Sequence, residues 1–354
     1  MDSLQKIIDE DATIVANSNL IDWDRLDGKT VLISGANGYV PSYFVFALLK
    51  HNEIYGTKIK VVALCRSLER AEKKFASLLN DSCLELLIQD VTQSIEYENS
   101  VDYIIHAASP AGYFSRHFSP AQTYNANIIG CRNLLELSLG KSVSGFLLLS
   151  SVDVYGRNSS VTRLSESDYG YLDPINPRNA YSSSKMASEG LALSYMSEHD
   201  IPVRVVRPFQ ILGNGLDLED GRLHVDFVSQ LLKNNSIVLK GDGKPERTFM
   251  YVTDAITAML RVMLVGKCGE AYNICDERGE ISVLKLAEMM IQLKSGSDGD
   301  VLFDVSKRNL IEVVEAIPCV LGDSTKLRQL GFHSQYDLSN GLRRMMSAYG
   351  VEVS

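Results

Sequence analysis

Val31-Leu32-Ile33-Ser34-Gly35-Ala36-Asn37-Gly38-Tyr39-Val40-Pro41 is the stretch on which the fold turns. It opens with a short aliphatic run, bends through a Gly-x-x-Gly turn and ends at the start of a helix. Glycines at such a bend let the backbone approach a pyrophosphate, whose charge is favoured by the free N–H groups and dipole of the helix N-terminus. A third small residue is expected three positions on, where helix and strand pack. Here it is Pro41, which the first helical turn accepts because its missing N–H would be unpaired anyway. Gly35, Asn37, Gly38, Tyr39 and Val40 are therefore candidates for holding a dinucleotide. Alone, the motif fits a plain turn equally well, so its surroundings decide.

From Lys29 onward, short apolar runs alternate with helical segments, the pattern of βαβ units around a parallel sheet. The expected strands are Val31–Ile33, Lys60–Leu64, Leu84–Ile88, Val101–His106, Gly145–Ser150 and Val203–Val206, nearly apolar throughout as buried parallel strands are. Helical stretches fall at Arg70–Leu79, Asn127–Leu139 and Ser183–His199. Residues 1–28 read as a polar lead-in with Leu4, Ile7 and Ile8 at helical spacing, expected to pack on the outside. Beyond Pro208 the alternation becomes irregular, with Gly-rich loops at 213–221 and 241–245. A dinucleotide-binding part over 29–207 and a smaller lobe over 208–354, some of whose segments return to the first part, is the expected division.

Composition narrows the function. The 354 residues carry 35 Lys+Arg against 44 Asp+Glu, a net charge of −9, which argues against a nucleic-acid binder. Apolar residues at 45% and charged residues at 22% are the proportions of an ordinary globular protein. The densest apolar stretch, Tyr39 to Leu49, contains Pro41 and Ser42 and is shorter than the roughly 20 residues of a membrane span. Met1-Asp2-Ser3 is acidic and no apolar run follows, so the expected location is cytoplasmic. The six cysteines, at 65, 83, 131, 268, 275 and 319, form no Cys-x-x-Cys pair, and the six histidines show no ligand spacing. Reduced thiols and no metal are expected.

Other positions suit the same dinucleotide. Asp90, ending the third strand, suits an adenine amino group, although it equally suits a turn cap. The fourth strand ends in His106-Ala107-Ala108-Ser109-Pro110, small residues that leave room for a cofactor. Arg66 ends the second strand, where an acid selects a bare ribose 2′-hydroxyl and an arginine accommodates a 2′-phosphate. NAD and NADP both stay open. The chemical signal is Tyr181-Ser182-Ser183-Ser184-Lys185, preceded by Ser150-Ser151 at the end of the fifth strand. Residues four apart share a helix face, so the Lys185 ammonium can sit beside the Tyr181 hydroxyl. A cation at about 4 Å supplies the roughly 4 kcal/mol that lowers a phenol pKa by about three units. Tyr181 is thus the candidate general base, with Ser151 bonding the same substrate oxygen.

With these residues in view, the chain resembles the extended short-chain dehydrogenase/reductase family, in its nucleotide-sugar epimerase, dehydratase and decarboxylase branch. The resemblance rests on Gly35-x-x-Gly38, Asp90-Val91, His106-Ala107-Ala108, Asn127-x-x-Gly130, Ser150-Ser151-Val152-Asp153-Val154-Tyr155-Gly156, Tyr181-x-x-x-Lys185, Arg207-Pro208-Phe209 and Arg247-x-Phe249-x-Tyr251-Val252-x-Asp254. Asp220-Gly221-Arg222 and Leu239-Lys240-Gly241-Asp242-Gly243 look most like the UDP-glucuronate decarboxylases. The resemblance implies a Rossmann-type α/β fold, a doubly wound parallel sheet with a smaller C-terminal substrate-binding lobe. It adds Val91, Asn127, Ser150 and Pro208 to the cofactor set, and assigns Ser109, Arg222 and Arg247 to the substrate. It also implies a homodimer through helices 127–139 and 183–199.

Three departures shape the expected reaction. The 4,6-dehydratases carry Thr-Asp-Glu where this chain has Ser151-Val152-Asp153, and Val152 cannot move a proton. Decarboxylases place glutamate at the position of Asp153, so a carboxylate survives on a shorter arm. Gly213-Asn214-Gly215 replaces the usual Gly-Pro-Arg loop, removing one anion-binding arginine. Epimerases need least beyond Ser151, Tyr181 and Lys185. The expectation is therefore an enzyme that oxidises a nucleoside-diphosphate sugar at carbon 4 and reduces it again to give an epimer, with Asp153 a second acid/base. Decarboxylation or dehydration of the same ketone is the alternative. An NADPH-dependent keto-sugar reductase is another, and a non-catalytic scaffold is the last.

Overall fold

A computed structural model describes residues 3–110, 119–156, 163–304 and 319–354. Six strands follow the aliphatic runs closely: β1 (Thr30–Ser34), β2 (Lys60–Cys65), β3 (Leu84–Ile88), β4 (Tyr103–His106), β5 (Gly145–Leu149) and β6 (Val203–Pro208). With β10 (Ala271–Ile274) they form one parallel sheet in the order β10-β6-β5-β4-β1-β2-β3. This is a Rossmann-type doubly wound α/β fold. Strand order reverses between β1 and β4, the place where such sheets open a crevice for a ligand.

Alternation along the strands divides the core. Val31 and Ile33 of β1, with Leu147 and Leu149 of β5, face α2 (Tyr39–Tyr55) and α7 (Val252–Val265). Leu32, Ile104, Phe146 and Leu148 face α4 (Gly130–Leu139) and α5 (Ala180–His199). Period two thus fills both faces, as a sheet covered on both sides requires. The helix after β2, α3, covers Leu68–Lys74 and is shorter than the expected Arg70–Leu79. Phe75 caps it and turns inward to meet Phe46 edge to face.

The later segments build smaller sheets. β9 (Glu246–Tyr251) pairs with β7 (Gln210–Leu212), β11 (Glu280–Ser282) and β13 (Cys319–Val320), and β8 (Ile237–Leu239) pairs with β12 (Val301–Phe303). α6 (Leu223–Lys233), α8 (Val283–Leu293) and α9 (Leu338–Ala348) complete this region.

The lead-in corrects an expectation. Its helix α1 (Ser3–Ala16) buries Ile8, Ala12, Val15 and Ala16 against α2 and α7, and also buries Asp11 completely. It is part of the core rather than an outer appendage. Among the described residues, no helix is long and apolar enough to cross a membrane and no His/Cys/Asp/Glu group is arranged to hold a metal. Cys65, Cys83, Cys131, Cys268 and Cys275 are free thiols, and the Cys319 side chain lies outside the described set.

Candidate active site

The crevice floor is made where β1 and β4 end side by side, Ser34 opposite His106. Ser34 Oγ accepts from the backbone N–H groups of Ala107 and Ala108, both at 3.1 Å. Its own proton therefore goes to His106 Nδ1 at 2.8 Å, which fixes the imidazole as neutral with Nδ1 the acceptor. Gly35 comes next with φ +64°, and a Cβ there would stand 2.7 Å from the Ala108 Cα. Only glycine lets the two loops touch. Gly38 then caps α2 with no side-chain hydrogen bond, so the first N–H groups of a 17-residue helix face the crevice.

The other wall is α5. The chain enters α4 through a π-turn at Asn125–Ile129, a distortion frequent at functional sites. From it Asn127 Nδ2 donates to Ser184 Oγ at 2.8 Å, while Ser188 Oγ donates to the Asn127 carbonyl at 2.9 Å. Behind them Arg207, on β6, grips Glu189 of α5 with two bonds of 3.0 and 2.7 Å. The helix is thus fixed in rotation, and Tyr181 and Lys185 share its inward face. Lys185 is 3% exposed, and its Nζ donates to the Leu149 carbonyl at 2.7 Å and lies 5.9 Å from the Tyr181 ring centre. Beyond β5, Ser151 Oγ donates to Asp153 Oδ2 and accepts from the Asp153 N–H, both at 3.2 Å.

Electrostatics of the site's own groups run against the expected lowering of the Tyr181 pKa. Burial, helped by the Asp153 carboxylate, pushes the phenol up to about 12. The Ser151 and Ser109 hydroxyls and the Arg222 guanidinium hold it down in part. Burial likewise pulls Lys185 down to about 8, against the pull of Cys131 and Glu189. The ammonium is spent on a backbone carbonyl rather than aimed at the phenolic oxygen. Asp153 is raised above the usual carboxylate range by burial, opposed by Ser151 and by Arg247.

The segments after β7 deliver two cations. Arg222, preceding α6, lies 5.5 Å from the Tyr39 ring centre, with its Nε 3.3 Å from Asp220 Oδ1. Arg247, on β9, acts on the Asp153 carboxyl and Arg222 on the Tyr181 phenol, which places both substrate candidates toward Ser151 and Tyr181. Other candidates are less directly engaged. Asp90 Oδ1 accepts from the Thr92 N–H and hydroxyl at 2.9 Å, the turn-capping role. The Val91 carbonyl takes a hydrogen bond from Asn133, Arg66 is exposed at the end of β2, and Pro208 is half-buried at the end of β6. Two residues went unnoticed in the sequence. His224 is 1% exposed with neither ring nitrogen hydrogen-bonded, beside Arg222. Asp11 is buried among partners far along the chain.

A family model described as "NAD dependent epimerase/dehydratase family" matches residues 31–275. The chain belongs to this family. Among its relatives, UDP-glucuronic acid decarboxylase 3 of Arabidopsis thaliana is 30% identical over 264 residues, 74% of each chain. UDP-glucuronic acid decarboxylase 1 of the same plant is 28% identical over 320 residues, covering 90% of this chain and 69% of the relative. Solved structures share the fold. A dTDP-glucose 4,6-dehydratase from Bacillus anthracis in complex with NAD aligns with TM-score 0.73 and 22% identity, covering 91% of this chain and 96% of that one. A UDP-glucose 4-epimerase from Thermotoga maritima with UDP-glucose aligns with TM-score 0.74 and 22% identity, covering 90% and 98%.

The residues of this family member fit NAD. The uncapped α2 N-terminus and the contact of Gly35 on Ala108 suit a pyrophosphate. Asn127 Oδ1 and Ser150 Oγ are buried without hydrogen-bond partners beside the same crevice, and buried polar atoms of that kind are ordinarily satisfied. A bound dinucleotide would supply what they lack.

Proposed function

We propose that this enzyme is an NAD-dependent decarboxylase of a nucleoside-diphosphate hexuronate, of the UDP-glucuronate type. One observation carries the reading over the expected 4-epimerase: Asp153, a buried carboxyl with a raised pKa, sits beside Ser151 and Arg247, and epimerisation does not require it. The decarboxylase names of the curated relatives support the same choice.

Arg222 and Arg247 hold the diphosphate and nucleoside, and the sugar lies toward Ser151 and Tyr181. Tyr181 Oη takes the proton of the 4-hydroxyl while Ser151 Oγ bonds the same oxygen. The Gly35–Gly38 loop, Asn127 and Lys185 would hold NAD, which would supply acceptance and return of the C4 hydride. The resulting 4-ketone is β to the C5 carboxylate. The C5–C6 bond then breaks, its electron pair moves toward O4 and carbon dioxide leaves. Ser151 and protonated Tyr181 stabilise the enolate oxygen by hydrogen bonds. Asp153, held protonated more readily than a surface acid, tolerates a uronate carboxylate nearby and donates a proton toward C5.

Incubation of purified enzyme with UDP-glucuronate tests this. One carbon dioxide and one UDP-pentose per turnover, with no net reduction of NAD, is the expected result, and Tyr181→Phe abolishes it. Formation of UDP-galacturonate without carbon dioxide would return the assignment to 4-epimerisation, the reading that Gly215 in place of the usual arginine favours.

A further inference from the structure

α1 lies before the segment that the family model matches, yet it places one charged residue deep inside the molecule. Asp11 is 0% exposed. Its Oδ1 accepts from Arg344 Nη2 at 2.8 Å and Nε at 3.1 Å, and its Oδ2 from Tyr251 OH at 2.9 Å. Oδ2 also meets Asn214 Nδ2 at 3.2 Å and Tyr43 OH at 3.4 Å. A carboxylate stays buried only when surrounded in this way. Its partners come from α9, β9, α2 and the loop at 213–216. Asn214 is held further by Tyr251 OH on its amide and by Tyr43 OH on its carbonyl, both at 3.1 Å.

That loop leads into the substrate side of the site. Gly213 packs so tightly that a Cβ there would stand 2.5 Å from Tyr39 OH. Leu216 is clasped by Tyr349 OH, which accepts from its N–H at 3.1 Å and donates to its carbonyl at 2.9 Å. The chain then runs through Asp220 to Arg222, which returns to the Tyr39 ring. Gly213 and Gly215 flank Asn214, so without an anchor this segment would gain freedom that ligand binding must remove.

We propose that Asp11 is a positioning residue for nucleotide-sugar binding: by pinning Asn214 it holds the 213–222 segment so that Arg222 stands ready over Tyr39. The inference rests on Arg222 being a diphosphate ligand. Removing the anchor leaves the phenol and the dinucleotide cradle in place and loosens the arginine.

Asp11→Asn in the NAD-loaded enzyme tests the proposal, with UDP as the probe for calorimetric titration and UDP-glucuronate for kinetics. UDP affinity is expected to fall on the order of tenfold and KM to rise in step, with a far smaller change in kcat. A lowered melting temperature with unchanged UDP affinity below the transition would show a structural role only and overturn the proposal, provided Arg222→Ala weakens UDP binding. If Arg222→Ala also leaves UDP binding unchanged, the diphosphate reading itself fails and takes this inference with it. Should Asp11→Asn not fold, Asn214→Ala removes the same anchor and keeps the Asp11–Arg344 pair. The same loss of UDP affinity supports the proposal and an unchanged affinity refutes it.

Discussion

His106→Asn should flatten the acid side of the stability profile. His106 is 1% exposed and held at about 3 by burial and by the Lys185 charge, against 6.5 for an unconstrained imidazole. The folded state therefore binds this proton less readily than the unfolded chain. Stability from the group is complete above pH 6.5 and is lost as pH falls from 6.5 toward 3. At pH 5 the gap is 6.5 − 5, or 1.5 units, worth about 2 kcal/mol. Geometry gives the same sign, because protonating Nδ1 would set two donors, imidazole and Ser34 hydroxyl, against each other. His224, also at about 3 from burial and the neighbouring Arg222, adds about 2 kcal/mol more. Asp254, raised to about 6 by burial, opposes them by about 1 kcal/mol at pH 5, since its proton is held more firmly in the folded state. Asparagine offers Oδ1 to Ser34 and does not titrate. Urea unfolding at pH 7.5 and 5.0 would measure the effect. The variant should be less stable at pH 7.5 through lost ring packing, yet lose about 2 kcal/mol less than wild type on acidification. Equal losses in both proteins would refute the argument.

Two substitutions probe the site from other sides. Gly35→Ala would force a residue at φ +64° and a Cβ against the Ala108 backbone, costing about 2–4 kcal/mol and most of the NAD affinity. Thermal melts with and without NAD would show it, and a variant that still gains wild-type stabilisation from NAD would contradict the cradle. Asp153→Asn keeps shape and polarity but cannot supply a proton, so kcat for decarboxylation should fall on the order of a hundredfold while KM holds. Full activity in that variant would remove Asp153 from the chemistry.

How far the molecule could be read from its sequence depends on the reach of each interaction. The strands of the sheet lie within a few residues of the aliphatic runs because a doubly buried strand leaves a local signature, and Tyr181 and Lys185 share a face because helical spacing is local. Asp11 left no such trace. Its partners stand at positions 43, 214, 251 and 344, and a polar lead-in with a few aliphatic residues looked like a surface helix. A return of later segments was expected, but which one joins the central sheet was hidden, since Ala271–Ile274 follows an irregular region and finds its place through its pairing with residues 205–208 of β6. Charge states were least visible. Spacing puts an ammonium near a phenol, but only the three-dimensional arrangement shows that the ammonium faces Leu149 and that burial dominates both groups.

That electrostatic state leads to the last prediction. A phenol at about 12 is five units from ionisation at pH 7, about 7 kcal/mol. Lys185 at 5.9 Å from the ring offers about 3 kcal/mol at an effective dielectric of 20, less than half of that. The protein's own groups therefore do not make the base, and the balance must come with the ligands, of which oxidised NAD brings a ring cation. Spectrophotometric titration, wild type minus Tyr181→Phe, isolates this one phenol among 16 tyrosines. Without NAD the difference should show no tyrosinate below pH 10, and with NAD the transition should move down by about two units or more. Lys185→Met should push it back up in the NAD-bound enzyme. A tyrosinate already present near pH 7 without NAD would mean that burial does not govern Tyr181 and that the ammonium alone makes the base, whereas a high-pH transition indifferent to NAD would refute the part assigned to the cofactor.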